Sequence, residues 1–125
     1  MTLVLDAGVL IALDRRDRRI GALLRVAQRD EIAVTTSAAV VAQVWRSGSR
    51  QANLARVLAG VDVASLDGPT ARRVGEVSAR SGTPDVVDAH LALLVGNDDT
   101  VLTADPGDLR RILDARSVSA TIRTI

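Results

Sequence analysis

Three aspartates stand where short apolar runs begin or end. Asp6 closes the run Thr2-Leu3-Val4-Leu5, Asp105 follows the run Thr100 to Ala104, and Asp88 opens the apolar stretch Asp88-Ala89-His90-Leu91-Ala92-Leu93-Leu94-Val95. If the two runs are parallel strands, their carboxyl ends share one edge of a sheet, which is where ligands bind in open parallel sheets. Carboxylates gathered without basic partners repel one another, so such a gathering suits a divalent cation. The chemistry implied is metal-assisted cleavage of a phosphodiester. Asp85 lies three residues before Asp88, on the same helical face. Thr103 ends its strand beside Asp105, where its hydroxyl can orient Asp6. Each acid also has an ordinary use: Asp105 and Asp108 around Pro106 suit helix capping, and Asp85 suits a helix dipole. Those uses do not require a common edge.

The chain supplies few other ligands. It has no cysteine and one histidine, His90, so a zinc site of thiolates or imidazoles is excluded and an oxygen-ligated Mg²⁺ or Mn²⁺ is favoured. His90 falls two residues after Asp88 and points off that face, toward helix packing or the surface. All sixteen basic residues are arginine, and only Glu31 and Glu76 among the fifteen acids are glutamate, for a net charge of +1. Arginine clusters grip phosphates bidentately, but the same composition arises in any Arg- and Ala-rich sequence. Asp14, Asp17 and Asp30 read as partners for the arginines around them. Trp45 is the sole aromatic, which leaves almost no means of stacking bases.

The elements that must position these residues alternate along the chain. Residues 2–5 read as a buried strand, 7–14 and 18–30 as helices, and Ile32 to Thr35 as a second strand. A helix capped by Thr36 or Ser37 carries Val40, Val41, Val44 and Trp45 and ends at Gly48. Residues 50–59 form a further amphipathic helix and 61–65 a third strand. A helix from Gly68-Pro69 to Ser81 follows, then another with Thr83 as N-cap and Pro84 in its first position, running to Val95. Residues 100–104 are a fourth strand, 106–115 a helix, and 118–124 a final strand. Alternation of this kind predicts an α/β class, a three-layer α/β/α domain with a mainly parallel central sheet. At 125 residues, positions 1–125 fit one domain. No apolar run approaches the ~20 residues of a membrane span, and the opening lacks the layout of a signal peptide. The expectation is a cytoplasmic protein with no membrane attachment.

Leu3-Val4-Leu5-Asp6-Ala7-Gly8, the helix around Gln43, Asp88-Ala89-His90-Leu91, and Val101-Leu102-Thr103-Ala104-Asp105-Pro106 resemble, in order and spacing, the PIN-domain nucleases. Among them the chain looks most like VapC-type toxins of bacterial toxin–antitoxin pairs. The similarity runs from residue 2 to about residue 113. It implies a parallel-sheet fold, Mg²⁺ or Mn²⁺ held by acids, and cleavage of RNA. By position, Asp6, Asp88 and Asp105 match the family's aspartates, with Asp85 and Asp108 as auxiliary positions. The family's glutamate after the second strand falls on Gln43, which keeps one carbonyl oxygen and no charge. That departure raises an alternative, an RNA- or protein-binding module with weakened chemistry.

Arg46 and Arg50, one helical turn apart, are candidates for holding the RNA backbone. A phosphoacceptor receiver domain would want a late-strand lysine, and the chain contains none. The resemblance also implies a VapB-like antitoxin and a homodimer. The stripe Ile20, Leu23, Leu24, Ala27 with Leu54, Val57 and Leu58 offers an apolar groove for a partner helix.

Overall fold

Continuous aliphatic runs flanked by amphipathic helices are the pattern of strands buried on both faces. In the computed structural model, which describes residues 1–125, they form a five-stranded sheet whose every pairing is parallel. In chain order the elements are β1 (Thr2–Leu5), α1 (Ala7–Asp14), α2 (Arg18–Arg29), β2 (Ala33–Ser37), α3 (Ala38–Val44) and α4 (Ala52–Ala59). They continue with β3 (Asp62–Ala64), α5 (Gly68–Ser81), α6 (Val86–Leu93), β4 (Thr100–Thr103), α7 (Gly107–Ala115) and β5 (Thr121–Thr124).

The strand order is β3-β2-β1-β4-β5. The chain steps outward from β1 through β2 to β3, then crosses to the other side of β1. The reversal lies between β1 and β4, and in open parallel sheets ligands bind at such a point, beyond the carboxyl ends of the strands. Right-handed crossovers in opposite directions place helices on opposite faces. Accordingly α5, α6 and α7 pack together, while α1 packs with α2, α3 and α4. Leu5, Val4, Val9 and Leu10 are fully buried beside Val101, Leu109 and Ile112. At about 25 cal/mol per Å² of apolar surface removed from water, aliphatic packing of this kind is the main source of stability. No helix is long and apolar enough to cross a membrane.

Every expected element is present; several boundaries differ by a few residues, three of them for identifiable reasons. Helix α3 stops at Val44 rather than near Gly48. The Gln51 amide folds back onto its end, accepting from Arg46 N (2.6 Å) and Ser47 N (2.9 Å) while donating to the Val44 carbonyl (2.9 Å). Those bonds satisfy the groups that further helix would have used. Thr83 is not the N-cap of α6. Its amide donates to the Ser78 carbonyl, completing the end of α5 after Gly82, whose φ is +70°. Asp85 takes the cap instead. The last strand begins at Thr121 rather than 118, because Val118 N is bonded to Leu113 O and Ser119 N to Asn97 Oδ1.

Candidate active site at the carboxyl edge of the sheet

Asp6 follows the last residue of β1 and caps α1. Its Oδ1 accepts from Ala7 N at 2.7 Å, and its Oδ2 accepts from the Thr103 hydroxyl at 2.6 Å, across 97 positions of sequence. The carboxylate is 8% exposed, so both bonds lie where competition from water is weak. Thr103 Oγ1 in turn accepts from Asp105 N at 3.0 Å. One hydroxyl therefore fixes the orientation of Asp6 and the turn that carries Asp105. The two strand ends are held close by a missing side chain. A Cβ on Gly8 would stand 2.8 Å from Ala104 Cβ, so only glycine lets the first turn of α1 approach the end of β4.

Asp85 and Asp88 arrive from α6. Asp85 Oδ1 accepts from Val87 N (3.0 Å) and Asp88 N (3.1 Å), which leaves Oδ2 free. Asp105 is exposed, and its only contribution to capping α7 is a long bond, Oδ1 to Gly107 N at 3.4 Å. Asp108 stands in the first turn of α7. These groups sense one another. Partial burial raises the Asp88 carboxyl from its ordinary 3.8 to about 7, with further repulsion from Asp85, Asp6, Asp108 and Asp105. None of the five is ion-paired, since the chain's one ion pair is Arg29 with Asp30. A carboxyl so placed is roughly half protonated near pH 7, and a bound cation would displace that proton.

The donor set fits a hard divalent ion in type and charge, although no three carboxylates are drawn tightly enough to form a closed ligand cage. Mg²⁺ characteristically keeps several waters and takes one or two protein carboxylates, so an open arrangement suits it. Gln43 is exposed in the last turn of α3, and its amide makes no hydrogen bond. Arg46 donates through Nη1 to the carbonyls of Ala42 (3.2 Å) and Trp45 (2.7 Å), capping α3, whereas Arg50 is exposed and unbonded in the following turn.

His90 is one positioning residue whose place the sequence did not reveal. It is fully buried, and the Ser37 hydroxyl reaches its Nδ1 at 2.6 Å. Ser37 already accepts from Ala39 N and Val40 N at the start of α3. Its proton therefore goes to Nδ1, and the neutral ring carries hydrogen on Nε2, which has no completed bond. Burial lowers the His90 pKa, opposed by the nearby Ser65 backbone and Asp67. The pair locks α6, and with it Asp88, to the end of β2. The periodicity of α6 put His90 off the acidic face, but no local signal showed that its partner was Ser37.

The groove expected between α2 and α4 is not apolar. Ile20, Leu24, Ala27 and Leu54 are buried in the domain's own core. An apolar cavity of about 570 Å³ opens instead on the other side of α2, against β5, lined by Ile20, Ala22, Leu23, Val26 and Ile125 among others. Nor do Asp14 and Asp17 pair with arginines: they bond Leu54 N (3.3 Å) and Ile20 N (3.0 Å), the first turns of α4 and α2.

No family model matches the chain, and no curated protein matches it in sequence. Solved structures do match in shape. A chain of VapBC2 from Rickettsia felis, crystallised with a DNA fragment from its promoter, superposes with TM-score 0.70 at 13% identity, covering 98% of this chain and 99% of that one. A chain of DNA-bound VapBC from Salmonella typhimurium gives 0.64 at 17% identity, covering 98% of each. A chain of FitAcB from Neisseria gonorrhoeae gives 0.59 at 19% identity, covering 96% of each. At such identities the likeness is one of fold. Over its whole length the chain shares the fold of these VapBC and FitAcB chains.

Proposed function

We propose that this chain is a metal-dependent endoribonuclease of the VapC type, acting in the cytoplasm on RNA and restrained by a VapB-like antitoxin. The observation that carries this reading is the convergence of Asp6, Asp85, Asp88, Asp105 and Asp108 at the topological switch point without a single arginine partner. Asp6, Asp88 and Asp105 would hold Mg²⁺ or Mn²⁺, with Asp85 and Asp108 at its margin. When bound, the cation supplies Lewis acidity toward a phosphodiester and toward the attacking water.

The chain's own contribution is orientation and exclusion. Asp6 is fixed by two bonds and spends one lone pair of each oxygen on them, which leaves one per oxygen facing the crevice. The Thr103 hydroxyl prevents the carboxylate from rotating toward the polypeptide. Asp85 keeps Oδ2 available while its Oδ1 holds the start of α6. Gln43, where a glutamate would add charge, offers a neutral carbonyl oxygen able to orient water.

Purified chain should cleave RNA with Mn²⁺ and lose that activity in EDTA. Asp6→Asn should lose both cleavage and Mn²⁺ binding while keeping its far-UV circular dichroism. Cleavage that persists in EDTA, or Mn²⁺ affinity unchanged in Asp6→Asn, would overturn the reading. The fold's likeness to chains of VapBC and FitAB complexes supports a protein partner. The apolar cavity between α2 and β5 is the surface that a partner helix would cover. A homodimer belongs to the same proposal, and sedimentation of the chain alone and with a co-expressed antitoxin reads both.

A further inference from the structure

Between the end of α1, the first half of α2 and α4 lies a second open cavity, of about 560 Å³, in which four of the eleven lining residues are Arg16, Arg18, Arg25 and Arg56. None of the four is ion-paired. The one acid in the lining, Asp17, accepts from Ile20 N and caps α2; its neighbour Asp14 accepts from Leu54 N and supports the start of α4. Each of these acids gives one oxygen to a backbone amide, and neither is ion-paired with an arginine. Gly21 lines the cavity from the interior of α2, where a Cβ would meet only the tip of the Arg25 side chain, Nη1 at 3.4 Å. Arg16 sits at φ +60°, a conformation that glycine takes more readily.

Resting on the nuclease reading above, we infer that this cavity binds backbone phosphates of the single-stranded RNA substrate. The acidic edge repels a polyanion, so binding must be won elsewhere. Arg46 is occupied by carbonyls, and with Trp45 the only aromatic, bases cannot be gripped by stacking. Guanidinium forks on phosphate are the remaining means. Helix α1 links the two places: Asp6 caps its start and Arg16 follows its end, a length of about 12 Å for its 8 residues. A strand laid along α1 would meet arginine at one end and the carboxylates at the other.

The test is fluorescence anisotropy of a short fluorescein-labelled single-stranded RNA with the whole chain in EDTA, where nothing is cleaved, across a salt series. The Arg16→Ala/Arg56→Ala double variant should weaken binding at least about tenfold, and flatten the dependence of log affinity on log salt by about 0.7 per lost phosphate contact. Arg72→Ala, on the distant α5, should change neither. Gly21→Ala, which keeps all four arginines, should retain RNA binding and melt at a higher temperature, because a helix-interior glycine is removed; lost binding in this stabilised variant would count against the arginines as the grip. Unchanged affinity and slope in the double variant would overturn the inference. So would polyglutamate that displaces RNA, binds more tightly and is itself lost in the double variant, an outcome that assigns the cavity to an acidic protein segment. If wild type shows no Mn²⁺-dependent cleavage but the arginine effect on binding holds, the nuclease reading fails alone. If cleavage depends on Asp6 while the double variant binds normally, this inference fails alone.

Discussion

The two ends of α1 are charged oppositely by the same device. At its start carboxylates gather and at its end arginines gather, and in neither place is a member of the group ion-paired. The ends differ in rigidity. Asp6 is nearly buried and held by two short bonds to elements that pair across the whole sequence. Arg16, Arg18, Arg25 and Arg56 are exposed side chains on helix surfaces. A reacting group must be held to a fraction of an ångström, whereas a phosphate grip tolerates motion. Under the proposed function, chemistry would sit where strands end and affinity on the flanking helices. The first should be sensitive to single atoms and the second to salt.

The largest effect should come from loosening Asp6 without removing it. Thr103→Val keeps shape and deletes the hydroxyl, and Mn²⁺ affinity should fall about 10- to 100-fold, the range seen when partners of a ligand are removed. Isothermal titration would read it; no change would mean that Asp6 is held by Ala7 N alone. Gly8→Ala attacks the same end through the backbone. Its Cβ would enter within 2.8 Å of Ala104 Cβ, so overpacking should cost about 1–3 kcal/mol by urea unfolding and spread Asp6 from Asp105.

Protonation gives a third handle. The Asp88 carboxyl titrates near 7 in the fold against an ordinary 3.8, so the folded state holds the extra proton between those values. In metal-free protein this contribution is fully present below about pH 4 and is lost as pH rises through 7. The group is partly exposed, and the loss is discounted for solvent screening to about 1–2 kcal/mol. Asp88→Asn should flatten the pH dependence of the melting temperature. An identical slope in the variant would place the titration elsewhere.

Gln43→Glu should tighten Mn²⁺ binding about tenfold. A charge at ~4 Å is worth about 4 kcal/mol at an effective dielectric near 20, most of it offset by desolvation and by repulsion from the other acids. Unchanged affinity would show that this exposed side chain does not face the crevice. The smallest effect belongs to the one ion pair, Arg29 with Asp30, whose side chains are 74% and 49% exposed. Arg29→Ala should shift stability by less than about 0.5 kcal/mol and leave both ends of α1 untouched.

Much of this was legible in the sequence because it is periodic. Buried parallel strands read as aliphatic runs, so β1 and β4, and with them Asp6, Thr103 and Asp105, were placed correctly from local pattern. Helices α1 and α5 begin and end where the sequence alone placed them. What escaped was governed by side chains acting on distant backbone. The Gln51 amide that stops α3, and the Ser37 hydroxyl that meets His90 across 53 positions, leave no mark on periodicity. The arginine cavity escaped for a related reason. Proximity in sequence paired Asp14 and Asp17 with arginines, but in the fold each bonds a backbone amide at a helix start and neither forms an ion pair.

The register of the sheet has a consequence for synthesis. β1 is the first strand made, yet its neighbours are β2 and β4, with Leu3 opposite Thr100. Pairing that remote is slow to form and cannot begin before the last third of the chain exists. A ribosome-bound fragment carries Asp6 but neither Thr103 to orient it nor Asp105 to face it. The acidic edge is therefore assembled last, and under the proposed nuclease function a nascent chain would lack a complete site until translation is nearly finished.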